Sequence, residues 1–287
     1  SGIGALVSQN AETGIITVVK AFADAPAAKA GVKNGDIIYK VKGKEVTGVD
    51  INNVVTEMKG EKGTTVDITV YRESEKKYID FTITRDQVNE PTVEYKMLDK
   101  KKKIGYIQIS QFEEVTYDQF TKALDDLKKQ GMKAVIFDVR SNPGGLYETV
   151  CKMLDEILPE GNLVSTKDKY GNEEKQTSDS KCLDMPMVVL QNKDSASASE
   201  IFAGAIQDFN AGKIVGTQSF GKGIVQTILP LSDGSAVKLT VQDYYTPSGK
   251  NIHGKGITPD VEVELEENAT SDTQLEKAKE TIMELMK

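Results

Sequence analysis

The stretch 185-MPMVVLQNKDSASASEIFAGAIQD-208 carries a strand, a loop and a helix in one uninterrupted run. "MPMVVLQN" is a short apolar, β-branched segment of buried-strand length, and "ASEIFAGAIQD" has its apolar residues at helical spacing. At the junction, Ser195, Ser197 and Ser199 alternate with alanines. Strand, polar loop and helix in succession is the repeating unit of a parallel, helix-covered sheet, which places its sites at such strand ends.

The same alternation continues on both sides. Upstream come a strand at 104–110, the helix "TYDQFTKALDDLKKQG", the fully apolar strand "AVIFDVR", the loop "SNPGG" (141–145) and the helix "YETVCKMLDEIL". Downstream, the strand regions "KIVGTQS" and "VQTILPL" lead to an expected hairpin, "GSAVKLTVQDYYTPSG", and an amphipathic helix closes the chain. The fold class is therefore α/β and multi-domain. Residues 1–86 differ, with short β-branched runs such as "IITVVKAF" and "TTVDITVYR" separated by turns. There, a short helix stops at Gly31, and a second runs from an Asp50 cap to Gly60 with Val54, Val55 and Met58 on one face. "RDQVNEPTVEYKML" loses periodicity and contains Pro91. The organisation expected is 1–86 as one domain, 87–103 as linker and start of the core, 104–265 as core, and 266–287 as a C-terminal helix.

With 287 residues the chain has room for two domains and needs no disulfide or metal to hold it. Its net charge of −8 argues against nucleic acid as a partner, and "DKKKK" (99–103) reads as a solvated turn. One histidine and two cysteines without ligand spacing exclude a Cys/His zinc site, so neither metal nor cofactor is expected. Cys151 reads as a small core residue, and whether it pairs with Cys182 is open. No run approaches the ~18 apolar residues of a membrane span. The opening "SGIGALVS" looks cut into a motif, so an upstream targeting region is expected to have been removed.

Chemistry is expected among "SNPGG", "SASASE" and "SFGKGIVQ". Only Ser197 has a glutamate three residues on, a capping box that puts it at the first turn of a helix. The helix terminus favours a developing oxyanion there, but a cap turns its hydroxyl toward the backbone while a nucleophile turns it toward substrate. Local sequence leaves both open. A base could be His253, in a polar loop, or Lys222, between Gly221 and Gly223 and beside Phe220 and an apolar pair. Desolvation lowers a lysine's pKa, and only the neutral amine can take a serine's proton. Gln226, on the same face of an extended strand, could orient that amine. The "NPGG" turn could aim backbone N–H groups at an oxyanion, or be an ordinary strand-to-helix turn.

"SGIGA" (1–5) and "PAAKAGVKNGDIIYKVKGKEV" (26–46) resemble a PDZ domain, a β-sandwich-like module. The resemblance implies that Gly2, Ile3, Gly4 and Ala5 form a loop for a peptide's C-terminal carboxylate, with β-augmentation along the adjacent edge. "DVRSNPGG", "NKDSASASEIFAGAIQD", "GTQSFGKGIVQ" and "DGSAVKLTVQDYYTPSGKNIHGKGITPDVEVE", following the PDZ module in that order, resemble the carboxyl-terminal processing proteases, from residue 1 to about 265. This resemblance implies a PDZ domain joined to a ClpP/crotonase-like α/β core and a serine endopeptidase acting on unfolded or C-terminally exposed proteins. It further implies Ser197 as nucleophile, Lys222 as base and Gln226 as the residue positioning the lysine. The oxyanion hole would be backbone N–H groups of Gly144 or Gly145 and of Ala198. It implies an extracytoplasmic, membrane-anchored or secreted protein. A helical segment often used for dimerisation in the family is absent here, so a homodimer through that segment and an adaptor protein are also expected. The rivals are a PDZ peptide receptor with a catalytically silent α/β domain and an acyl-CoA enzyme of related fold.

Overall fold

Pro91 closes one unit of the chain and Thr92 opens another, in a computed structural model that describes residues 1–88, 90–266 and 271–287. The first unit contains β1 (Ala5–Gln9), β2 (Ile16–Ala21), α1 (Pro26–Ala30), β3 (Ile37–Val41), β4 (Lys44–Glu45), α2 (Ile51–Met58), β5 (Thr65–Arg72) and β6 (Lys77–Thr84). Its antiparallel sheet runs β1-β2-β3-β5-β6, with β4 beside β3 and β1 at an edge. Local chemistry explains the helix limits. Pro26 suits the first turn of α1, and Gly31 stops it in a left-handed conformation (φ 102°). The Asp50 carboxylate accepts the Asn52 N–H (2.9 Å) at the start of α2. Alternation in β5 buries Val66, Ile68 and Val70 against Val54 and Met58 of α2.

The second unit contains β7 (Val93–Asp99), β8 (Ile104–Ile109), α3 (Thr116–Lys129), β9 (Ala134–Asp138), α4 (Tyr147–Asp155), β10 (Gly161–Asp168), β11 (Glu173–Ser178), β12 (Met187–Gln191), α5 (Ala198–Asp208), β13 (Gly212–Gly216), β14 (Ile224–Pro230), β15 (Ala236–Tyr245), β16 (Val261–Glu262) and α6 (Thr273–Leu285). Its main sheet runs β16-β13-β12-β9-β8-β7, parallel apart from the antiparallel β7. One face is covered by α3, α4 and α5 through Phe120, Leu154 and Phe202, packed on Phe137. The other face meets α6, whose Ala278 and Ile282 lie against Ile136, Val188 and Val215. Coverage on both faces is why β9 and β12 read as continuous apolar runs rather than alternating ones.

Three features differ from the sequence expectation. Within 87–103, expected as linker and start of the core, lies β7, a partly exposed edge strand whose weak period did not announce it. Asn89 of that linker and residues 267–270 of the C-terminal segment lie outside the described residues. "GSAVKLTVQDYYTPSG" is not a hairpin: residues 236–245 form one long strand that pairs with both β14 and β10. This creates a second, antiparallel sheet, β11-β10-β15-β14, which no sequence period announced. Cys151 is buried and Cys182 exposed, and both are free thiols.

Candidate active site

The three alternate serines have different surroundings. Ser195 Oγ donates to Val139 O (2.8 Å), and Ser199 Oγ donates to Asn142 O (2.9 Å). Both flanking hydroxyls are thus consumed in sewing the serine loop to residues 139–142, with Ala196 N–H to Asn142 O (3.0 Å) between them. Ser197 remains, half-buried at the first turn of α5, with φ 57° and ψ −116°. A non-glycine residue held there stores on the order of 1–3 kcal/mol, which the surroundings must over-determine.

Glu200 supplies much of that determination. Both halves of the capping box are present: Ser197 N–H donates to Glu200 Oε2 (2.8 Å), and the Ser197 side chain faces the Glu200 N–H. The Glu200 N–H also goes to the Ser197 carbonyl (2.8 Å). The Glu200 carboxylate, fully buried, also accepts Lys222 N–H (2.8 Å), Gly221 N–H (2.7 Å) and Ser219 Oγ (2.6 Å). One carboxylate thereby joins the serine loop to the lysine loop. Phe220 N–H donates to Ser195 O (3.0 Å) in the same seam.

The lysine loop is also pressed against residues 253–256. A Cβ on Gly221 (φ 90°) would lie 3.0 Å from Lys255 N, and one on Gly223 would lie 2.6 Å from His253 N. The two glycines are needed for close backbone approach. Lys222 is half-buried, whereas Phe220, expected to help desolvate it, is 64% exposed. His253 is exposed and its N–H donates to Asn251 Oδ1 (2.9 Å). Among the described residues, no hydrogen bond joins Ser197 Oγ to the Lys222 amine. Nor does the structure join Gln226 to Lys222. Lys222 precedes β14, a bulge falls between Val225 and Gln226, and the exposed Gln226 amide donates to Thr240 Oγ1 (3.4 Å). Free structures often leave catalytic hydrogen bonds long or unmade until substrate is bound.

The "NPGG" turn lies against Ser197. A Cβ on Gly144 (φ 104°) would fall 2.8 Å from Ser197 Cβ and 3.0 Å from Ala198 N. A Cβ on Gly145 (φ 145°) would fall 2.1 Å from Phe112 O, so neither position tolerates a side chain. Of the two donors expected in this turn, Gly144 is engaged: buried Asn142 donates its Nδ2 to Ile109 O (2.8 Å) and accepts Gly144 N–H (2.8 Å) on Oδ1. Gly145 N–H and Ala198 N–H have no acceptor among the described residues. Two unspent amides beside a strained serine can receive a carbonyl oxygen that gains charge.

In the first unit, Gly2 and Asp86 exchange N–H···O bonds (3.0 and 3.1 Å), so the Gly2 amide is engaged. The Ile3 and Gly4 amides have no acceptor among the described residues, and Gly4 (φ 76°) sits where a Cβ would meet Ala25 at 2.3 Å. Beside them a cavity of about 370 Å³ is lined by Ile3, Ala5, Phe22, Val55, Met58 and Val88, between edge strand β1 and helix α2. An edge strand, a facing helix and free amides at one end suit an extended peptide.

Sequence reasoning found Glu200 only as a helix cap, although its Ser-x-x-Glu spacing was the available signal. It missed Asn142, and it missed Tyr244, whose hydroxyl lies 2.5 Å from Lys222 O and 3.1 Å from Ser197 O. Nothing near Tyr244 in the chain marks it.

A PDZ domain occupies residues 1–83, and the sequence profile of peptidase family S41 matches residues 103–263. The chain belongs to peptidase family S41. It is 42% identical over 271 residues to a carboxy-terminal-processing protease of Bartonella bacilliformis, covering 92% of this chain and 61% of that one. The photosystem II D1 C-terminal processing protease superposes with a TM-score of 0.57 at 30% identity, over 98% of this chain and 76% of that one. The tricorn protease shares the fold alone, with a TM-score of 0.55 at 19% identity over 99% of this chain and 29% of that one. The chain thus spans less than two thirds of the Bartonella relative's own length.

Proposed function

We propose that the chain is a serine endopeptidase of the carboxyl-terminal processing type. The observation that carries this is the seam in which buried Glu200 holds the backbones of Ser197 and Lys222 together (2.8 Å each) beside two unspent amides. In this mechanism neutral Lys222 takes the proton as Ser197 Oγ attacks the scissile carbonyl. The new oxyanion is received by Gly145 and Ala198 N–H. Lys222 then protonates the leaving amine and activates the water that releases the acyl group. The family resemblance is what supports Gln226 as the residue that orients the amine. Casein degradation by the purified chain tests the proposal. Ser197→Ala and Lys222→Ala are expected to reduce it to background, and equal rates would leave only a peptide receptor with a silent second domain.

The cavity beside β1 supports a role for the PDZ domain in capturing a substrate's C-terminus, and we propose that this capture orders the Ser197–Lys222 pair. A C-terminal peptide added to the enzyme is then expected to raise turnover of an unrelated unstructured substrate. No change, or simple competition, counts against gating. The family resemblance also supports an extracytoplasmic setting, testable by fractionating the source cells.

A further inference from the structure

The Glu200 carboxylate takes the N–H groups of the Ser197 and Lys222 residues. The carbonyl groups of the same two residues face a different side chain. Tyr244, near the end of β15, is 1% exposed, and its own N–H is anchored to Gly223 O (3.0 Å). Its hydroxyl lies 2.5 Å from Lys222 O and 3.1 Å from Ser197 O. Carbonyl oxygens only accept, so the phenol is the donor, and its single proton is directed mainly to Lys222 O and secondarily to Ser197 O. Burial, followed by the nearby Glu200 charge, holds the phenol well above its ordinary pKa. It therefore stays a donor throughout the neutral and mildly alkaline range.

We propose that the Tyr244 hydroxyl is a positioning group for the Ser197–Lys222 pair, holding both loops by their carbonyls while Glu200 holds them by their amides. Lys222 sits outside β14, and among the described residues its N–H and its carbonyl are held by these two side chains. Among the described residues no other donor reaches the Lys222 carbonyl. The Ser197 carbonyl also accepts Glu200 N–H (2.8 Å) and Ile201 N–H (3.1 Å), so the hydroxyl matters most for the lysine loop. Loss of the hydroxyl would leave ring packing and the Gly223 bond intact and let the lysine loop drift from the serine. A displacement near 1 Å is enough to reduce rate by about 100-fold.

This inference rests on the peptidase proposal, and the experiment separates the two. Wild type, Tyr244→Phe and Ser197→Ala are compared on an unstructured substrate, with kcat expressed per site titrated by a fluorophosphonate. Tyr244→Phe is expected to lower kcat per titrated site roughly 10- to 100-fold, with KM within about twofold of wild type and the melting temperature shifted by only a few degrees. A merely structural role would reduce the titrated fraction and leave kcat per site alone. If Tyr244→Phe does not fold, 4-aminophenylalanine at 244 keeps ring and donor and is expected to retain at least about a tenth of wild-type kcat. A folded, titratable but inactive amino variant overturns the proposal. Wild-type kcat per site in Tyr244→Phe, with Ser197→Ala inactive, overturns this inference alone; an active Ser197→Ala overturns both.

Discussion

At the scale of single residues, the site depends on atoms with no room to spare. Gly144 touches the serine it supports, and its φ of 104° is one that L side chains rarely adopt. Gly144→Ala is expected to push Ser197 out of place, lowering stability by ~1–3 kcal/mol and activity by about 100-fold or more, measured by denaturant unfolding and casein turnover. Glu200→Gln keeps the shape but replaces one carboxylate oxygen with an amide that cannot accept. Each oxygen serves two donors: Oε1 takes Ser219 Oγ and Gly221 N–H, and Oε2 takes Ser197 and Lys222 N–H. One orientation leaves Ser197 and Lys222 N–H unpaired and the other leaves Gly221 N–H unpaired, the Ser219 hydroxyl being able to accept from the amide, for an expected loss of ~1–3 kcal/mol. Activity should fall further than that stability loss explains. These positions were partly legible in the chain. Ser-x-x-Glu, Gly-Lys-Gly and Asn-Pro-Gly-Gly each carry a local physical reason, whereas Asn142 and Tyr244 act through partners that only folding supplies.

Among elements, the loop that carries the glycine turn is tied to the C-terminal helix. Arg140 donates to Asp138 Oδ2 (2.6 Å) and to both Asp272 oxygens (2.9 and 2.8 Å), while Asp272 also caps α6 by accepting Leu275 N–H (2.9 Å). Burial pushes the Asp272 carboxyl up, but the bonds from Arg140 and Leu275 N–H outweigh it and leave the group below its ordinary value. A depressed carboxyl contributes stability above its unfolded value, near 3.9, and loses that contribution as pH falls through the folded one. Asp272→Asn is expected to cost roughly 1–3 kcal/mol at neutral pH. The variant should also show a flatter decline in melting temperature below about pH 4. An acid limb identical to wild type would remove Asp272 from the account. α6 reads in the sequence as an amphipathic helix, but its tie to the chain after β9 depends on an arginine more than a hundred residues away.

For the whole molecule, two separate cores imply two stabilities. Val70 is fully buried in the first unit and Phe137 in the second, and neither core shares a residue with the other. Val70→Ala is expected to lower one unfolding transition and Phe137→Leu the other, each by ~1–4 kcal/mol, followed by calorimetry of the full chain. A single transition moved by both variants would mean that the units unfold together.

The amino-acid sequence by itself determined the α/β alternation, the PDZ module, the helix limits set by Pro26, Gly31 and Asp50, and the three loops in which the chemistry gathers. Those features are short-range: period, capping and glycine conformation act within a few residues. Tertiary structure decided that Ser195 and Ser199 spend their hydroxyls on residues 139–142, which glycine amide is free, that Gln226 does not reach Lys222 here, and that Tyr244 and Glu200 hold two loops by their carbonyls and amides. Such outcomes follow from hydrogen bonds between distant segments. A buried polar group finds its partner wherever the sheet brings one, and no local pattern records which that will be.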